Sequence, residues 1–106
     1  MTEPSARTDA VDILRRRYVG DDLQRAAEIE RERTNAEVAQ LIYERRTAGG
    51  LTQKDLAQLV GTTQSVISRL EDADYEGHSL TMLQRIAAAL GQRISIDMAP
   101  LARRRA

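Results

Sequence analysis

The 106-residue sequence contains no cysteine, no phenylalanine and no tryptophan, and only two prolines and three tyrosines. Without cysteine there is neither a disulfide framework nor a thiolate metal site, which suits a reducing cytoplasm. The single histidine, His78, has no second imidazole or thiolate beside which to hold a metal, so a loop or helix-capping role is expected of it. Scarce aromatic rings leave little for bases to stack on, which argues against single-stranded nucleic acid as a ligand. The longest apolar runs reach only four or five residues, far short of a membrane span, and the charged N-terminus lacks the apolar core of a signal peptide. A soluble cytoplasmic protein without membrane contact is expected. Excess charge of one sign is also missing, since Lys+Arg and Asp+Glu stand at 16 each. No overall basic field can drive non-specific nucleic-acid binding, so any DNA affinity must come from a local patch. One histidine and one lysine, Lys54, are poor material for an activated nucleophile or a paired acid and base. Neither an enzymatic activity nor a cofactor is expected.

What the sequence does contain is a stretch from Leu51 to Asp72, LTQKDLAQLVGTTQSVISRLED, whose apolar spacing and breakers describe two short helices joined by a tight turn. Thr52 can cap the first, with Asp55 three residues on reaching back as in a capping box. Leu56, Ala57 and Val60 share one face, and Gly61 allows the left-handed turn that ends the helix. Thr62 or Thr63 can cap the second helix. At about 100° per residue that helix places Val66, Ile67 and Leu70 on one side and Gln64, Ser65, Ser68 and Arg69 on the other. The second face carries the amide, hydroxyl and guanidinium groups that read base edges and phosphates in a major groove; the same residues would also serve as an ordinary solvated surface.

LTQKDLAQLVGTTQSVISRLE resembles the helix-turn-helix of the Cro/C1 (Xre) family of phage repressors and antitoxins, over roughly residues 36–90. The resemblance implies that Gln53 braces a phosphate and the glutamine opening the recognition helix, Gln64. It implies that Ser65, Ser68 and Arg69 face the bases, with Gly61 as the turn glycine and Leu51, Leu56, Ala57, Val60, Ile67 and Leu70 in the core. With Thr63 at the helix start, the expected DNA-binding set is Gln53, Thr63, Gln64, Ser65, Ser68 and Arg69. Arg46 and Glu71 match positions that form an internal ion pair in the family. The loop after Glu71, DADYEGHS, departs from the phage repressors: theirs is basic and grips phosphate, whereas Asp72, Asp74 and Glu76 would repel it.

Elsewhere the chain reads as appendages to this unit. Residues 1–7 have nothing to bury and are expected to be disordered. Thr8 can cap a helix with Asp9 and Asp12 early and Arg15, Arg16 and Arg17 late, as the helix dipole prefers, and with Val11, Leu14 and Tyr18 on one face. That stripe is either a piece of core or a partner-binding surface. DLQRAAEIERERTN then reads as a solvated helix or helical linker, with Thr34 and Asn35 as possible but not obligatory breaks. From Ala36 a stronger pattern, Val38, Leu41, Ile42 and the stem of Arg45, marks the first helix of the domain, closing at Gly49 and Gly50. Ser79 caps a last helix with Leu83, Ile86, Ala87 and Leu90 inward, stopped by Gly91. QRISIDM alternates Ile94, Ile96 and Met98 against Arg93, Ser95 and Asp97, as a half-buried strand would. A lone strand is an open edge, so Ile94, Ile96 and Met98 are expected at a homodimer interface made by antiparallel pairing.

The expected fold is all-α: a five-helix Cro/C1-type helix-turn-helix domain (35–91), an N-terminal helical arm (1–34), and a short C-terminal β-strand with a basic tail (92–106). LIYERRTAGGLTQ and RLEDADYEGHSLTMLQRIAAALG are similar to HigA-type antitoxins. That resemblance implies a homodimer that binds a double-stranded DNA operator, represses its own operon and neutralises a cognate RelE-fold ribonuclease toxin, with no membrane partner. A stand-alone Xre-family repressor is the alternative.

Overall fold

Between Asp21 and Ala48 neither glycine nor proline interrupts the chain, the first turn carries Asp21 and Asp22, and the last carries Arg45 and Arg46. Both ends complement the helix dipole, and in the computed structural model, which describes residues 21–101, the whole segment is one helix, α1 (Asp21–Ala48). Thr34 and Asn35 do not break it. Three shorter helices follow: α2 (Gln53–Val60), α3 (Gln64–Leu70) and α4 (Leu80–Ala89). By contacts the chain divides into two units, residues 1–31 with 99–106, and residues 32–98. Of the first, the described residues form the start of α1 and the stretch 99–101. The second holds the rest of α1 and the other three helices.

Each short helix begins on a hydroxyl. Thr52 accepts from the Asp55 amide at 3.0 Å while the Asp55 carboxylate accepts from the Thr52 amide at 3.0 Å, completing the capping box. Thr63 caps α3 through the Val66 amide at 3.3 Å and Ser79 caps α4 through the Met82 amide at 3.1 Å. Gly61 ends α2 at φ 81°, the left-handed conformation that glycine adopts without a steric cost, and its amide donates to the Ala57 carbonyl.

The core of residues 32–98 gathers Ile42 from α1, Leu56, Ala57 and Val60 from α2, Ile67 and Leu70 from α3, and Ile86 from α4. Leu56 and Ile67 are completely enclosed. Val38, Val66, Tyr75, Met82, Leu83 and Leu90 pack against this cluster.

Three expectations require correction. Among the described residues there are four helices and no strand. The helix expected after Thr8 lies outside the described residues. Residues 92–100 contain no strand, because a strand requires a second one to complete its ladder and the described residues offer none. Finally, of the expected inward stripe of α1, Val38 and Ile42 face the core but Leu41 and Arg45 do not. Ala39, Ile42 and Arg46 are buried, whereas Leu41 is 44% exposed and Arg45 lies outside.

Candidate nucleic-acid interface

The caps and the Gly61 turn bring the first turn of α2 beside the outer face of α3. There Gln53, Gln64, Ser65, Ser68, Arg69 and Asp72 line one open concavity. Five of the six residues expected to meet DNA therefore converge on a single surface. The sixth, Thr63, stands at the start of α3, where its hydroxyl oxygen caps the helix and its hydroxyl hydrogen is still a donor.

Behind this surface lies a polar network in which Arg46 and Glu71 meet as the family resemblance implies. The Arg46 Nε donates to Glu71 Oε2 at 2.6 Å and a terminal nitrogen to Oε1 at 2.9 Å, with the two side chains only 10% and 5% exposed. Arg46 also donates to the Leu51 carbonyl at 2.8 Å, tying the end of α1 to the start of the α2 cap. The Glu71 bonds hold the guanidinium pKa above its ordinary value, against the opposing push of burial. Sequence reasoning missed the next link: Gln53 Nε2 donates to Glu71 Oε1 at 3.2 Å. The carboxylate that neutralises Arg46 thus also orients the Gln53 amide, leaving its second hydrogen and its carbonyl oxygen uncommitted by this bond. No sequence spacing announces a contact between residues 18 apart.

Two further contacts set the frame of the helix-turn-helix. Arg85, from α4, donates to the Val60 carbonyl at 2.6 Å and so satisfies an end of α2 beside the turn. His78 Nε2 lies 2.7 Å from the Leu70 carbonyl, and its ring meets Tyr75 edge-on at 5.1 Å between centroids. Since a carbonyl only accepts, the Nε2 position carries the proton, and His78 caps the C-terminal end of α3, the role expected from its isolation. Of the residues lining the concavity only Arg69 is cationic, and Asp72 at its edge is anionic. The Asp72 carboxylate is fixed by accepting from the Asp74 amide at 2.9 Å. Asp74 and Glu76 line a separate concavity with Glu32 and Asn35.

Of the residues expected to meet a second copy, Ile94 is half-buried, while Ile96 and Met98 are 65% and 91% exposed in the irregular segment after α4. Val11, Leu14 and Tyr18, expected to meet a protein partner, lie outside the described residues.

Two capped helices joined through a left-handed glycine, with an amide, hydroxyl and guanidinium face on the second, define a DNA-binding helix-turn-helix protein. The comparison with known proteins agrees: residues 19–99 match the helix-turn-helix domain family, in its Xre-type form, and the chain belongs to it. It is 40% identical over 76 residues to the provisionally named antitoxin HigA3 of Mycobacterium tuberculosis, an overlap of 71% of this chain and 70% of that protein. It is 48% identical over 52 residues to an uncharacterised HTH-type transcriptional regulator of Methanothermobacter thermautotrophicus, an overlap of 49% of this chain and 74% of the relative. No solved structure matches the chain.

Proposed function

We propose that this protein is an antitoxin that acts as a homodimeric repressor of its own operon and neutralises a RelE-fold ribonuclease toxin. The observation that carries the DNA-reading half is the shared surface of Gln53, Gln64, Ser65, Ser68 and Arg69. On this reading α3 enters the major groove, Gln64, Ser65, Ser68 and Arg69 meet base edges, and Gln53 and Thr63 hold phosphates. The Glu71 bond pre-sets the Gln53 amide, so fixing that contact on DNA costs less side-chain entropy. With one cation and one opposing carboxylate at the surface, non-specific affinity is low, and discrimination rests on hydrogen bonds rather than on counterion release. The antitoxin half is supported by the likeness to HigA3, and the proposed toxin contact is the apolar set Val11, Leu14 and Tyr18.

Binding to the duplex upstream of the gene, compared with point variants of that duplex, tests the first half. A bidentate side chain on a base edge is worth about 1–3 kcal/mol of discrimination, roughly five- to 150-fold. Gln64→Ala should remove that preference, whereas Gln53→Ala should weaken every sequence alike. An unchanged specificity ratio for Gln64→Ala would refute the assignment of α3. Co-purification with the product of the adjacent open reading frame tests the second half: wild type should retain it and Leu14→Arg should release it. Retention by Leu14→Arg moves the contact elsewhere, and no complex with wild type leaves the alternative, a stand-alone Xre-family repressor.

A further inference from the structure

Asp72 lies on the reading surface but is not among the residues proposed to meet bases or phosphates. It lines the same concavity as Gln53, Gln64, Ser65, Ser68 and Arg69, and it is the one acidic residue there. Its backbone is fixed on both sides, since its amide donates to the Arg69 carbonyl at 3.1 Å and its carbonyl accepts from the Tyr75 amide at 3.0 Å. Its exposed side chain is held as well, through Oδ1, which accepts from the Asp74 amide at 2.9 Å. Oδ2 is left as an acceptor without a donor among the described residues, and no ion pair among them engages Asp72 or Arg69. A held carboxylate on a surface that meets duplex DNA repels phosphate, so its favourable direct partners are donors on base edges. In the major groove those are cytosine N4 and adenine N6. Adenine presents its N7 acceptor beside the amino group, which opposes a carboxylate, whereas cytosine has no acceptor beside N4 on its own ring edge. Cytosine is therefore the better match. Arg69, one helical turn earlier, carries the complementary chemistry, a forked donor that suits guanine O6 and N7.

We propose that Asp72 is a specificity-determining residue that selects cytosine, its Oδ2 accepting from the N4 amino group at or next to the base pair that Arg69 reads. The proposal rests on the reading in which α3 enters the major groove, and it extends the base-contacting set past the end of that helix. A donor fork on Arg69 and an acceptor oxygen on Asp72 present the inverse of the guanine and cytosine edges. The same carboxylate that weakens phosphate binding then contributes to discrimination among sequences.

Asp72→Asn tests this with the loop geometry kept. Asparagine retains a side-chain oxygen for the Asp74 amide, so the group turned outward becomes an amide NH2, a donor in place of an acceptor. Cytosine N4 then meets a donor, whereas thymine offers its O4 acceptor at the same ring position. The full chain is used to select duplexes from a randomised pool of double-stranded DNA. Wild type should enrich cytosine at one position, at or beside the one whose preference Arg69→Ala relaxes. Asp72→Asn should enrich thymine there, changing the cytosine-to-thymine ratio by at least about fivefold, and should leave the position that Gln64→Ala relaxes as it was. If Asp72→Asn instead tightens every duplex by one common factor with all preferences intact, Asp72 only opposes phosphate and the proposal falls. Unaltered preferences at unaltered affinity would place the carboxylate off the DNA and overturn it equally. In both of those cases, a Gln64→Ala variant that still relaxes its own position leaves reading by α3 in place. A wild type that enriches no sequence would overturn that reading and this proposal together.

Discussion

Replacing Glu71 with alanine should be among the most damaging single changes in the folded domain. Its carboxylate, 5% exposed, takes two charge-assisted bonds from Arg46 and one from Gln53. Arg46 is itself buried, and after the substitution its guanidinium keeps only the bond to the Leu51 carbonyl. Removing one partner of a buried pair costs about 3–5 kcal/mol, most of it the burden of a desolvated charge without a counter-ion. The freed Gln53 bond adds about 0.5–1.5 kcal/mol. Small domains have only about 5–15 kcal/mol of stability in all, so a large fraction is at stake. Urea denaturation followed by circular dichroism should show the midpoint fall with the slope unchanged. The double variant Arg46→Met with Glu71→Leu, which removes both charges and fills the space, should recover stability to within about 1 kcal/mol of wild type. The loss should persist in high salt, because a buried pair is little screened. A loss below about 1 kcal/mol for Glu71→Ala would refute the view that this network holds α1 to the helix-turn-helix.

Gly61→Ala forces a Cβ into the left-handed region at φ 81°, where it also lies 3.5 Å from the Arg85 guanidinium; a loss of about 1–2 kcal/mol is expected, and an unchanged thermal midpoint would contradict the turn geometry. Asp55 has its carboxyl pKa lowered, first by the hydrogen bond from the Thr52 backbone and then by the Thr52 side chain. A depressed folded-state value stabilises the protein above the ordinary carboxylate range, about pH 3.9, and that stabilisation is lost as pH falls through the lower folded value. Stability measured between pH 6 and pH 2 should therefore lose one component of its acid slope in Asp55→Asn, and an identical slope would exclude the capping box as its source.

The helix-turn-helix was legible in the sequence because its determinants are local. Thr52 with Asp55, Gly61, and Thr63 before an apolar run each act within four residues, and the alternation of Val66, Ile67 and Leu70 against Gln64, Ser65, Ser68 and Arg69 follows from helical period alone. Where a position's environment depends on a distant segment, sequence pattern gave the wrong face or no signal. Helical spacing placed Leu41 and the stem of Arg45 inward, yet α1 is rotated so that Arg46 turns inward instead, which only the family resemblance implied, and Glu71, 25 residues away, neutralises it. The alternation of Ile94, Ile96 and Met98 was real, but a strand is a property of two chains of backbone, and the described residues supply one. Local chemistry determined the caps, the turn and the reading face; the partner that each buried charge and each extended segment finds was decided only by the tertiary structure.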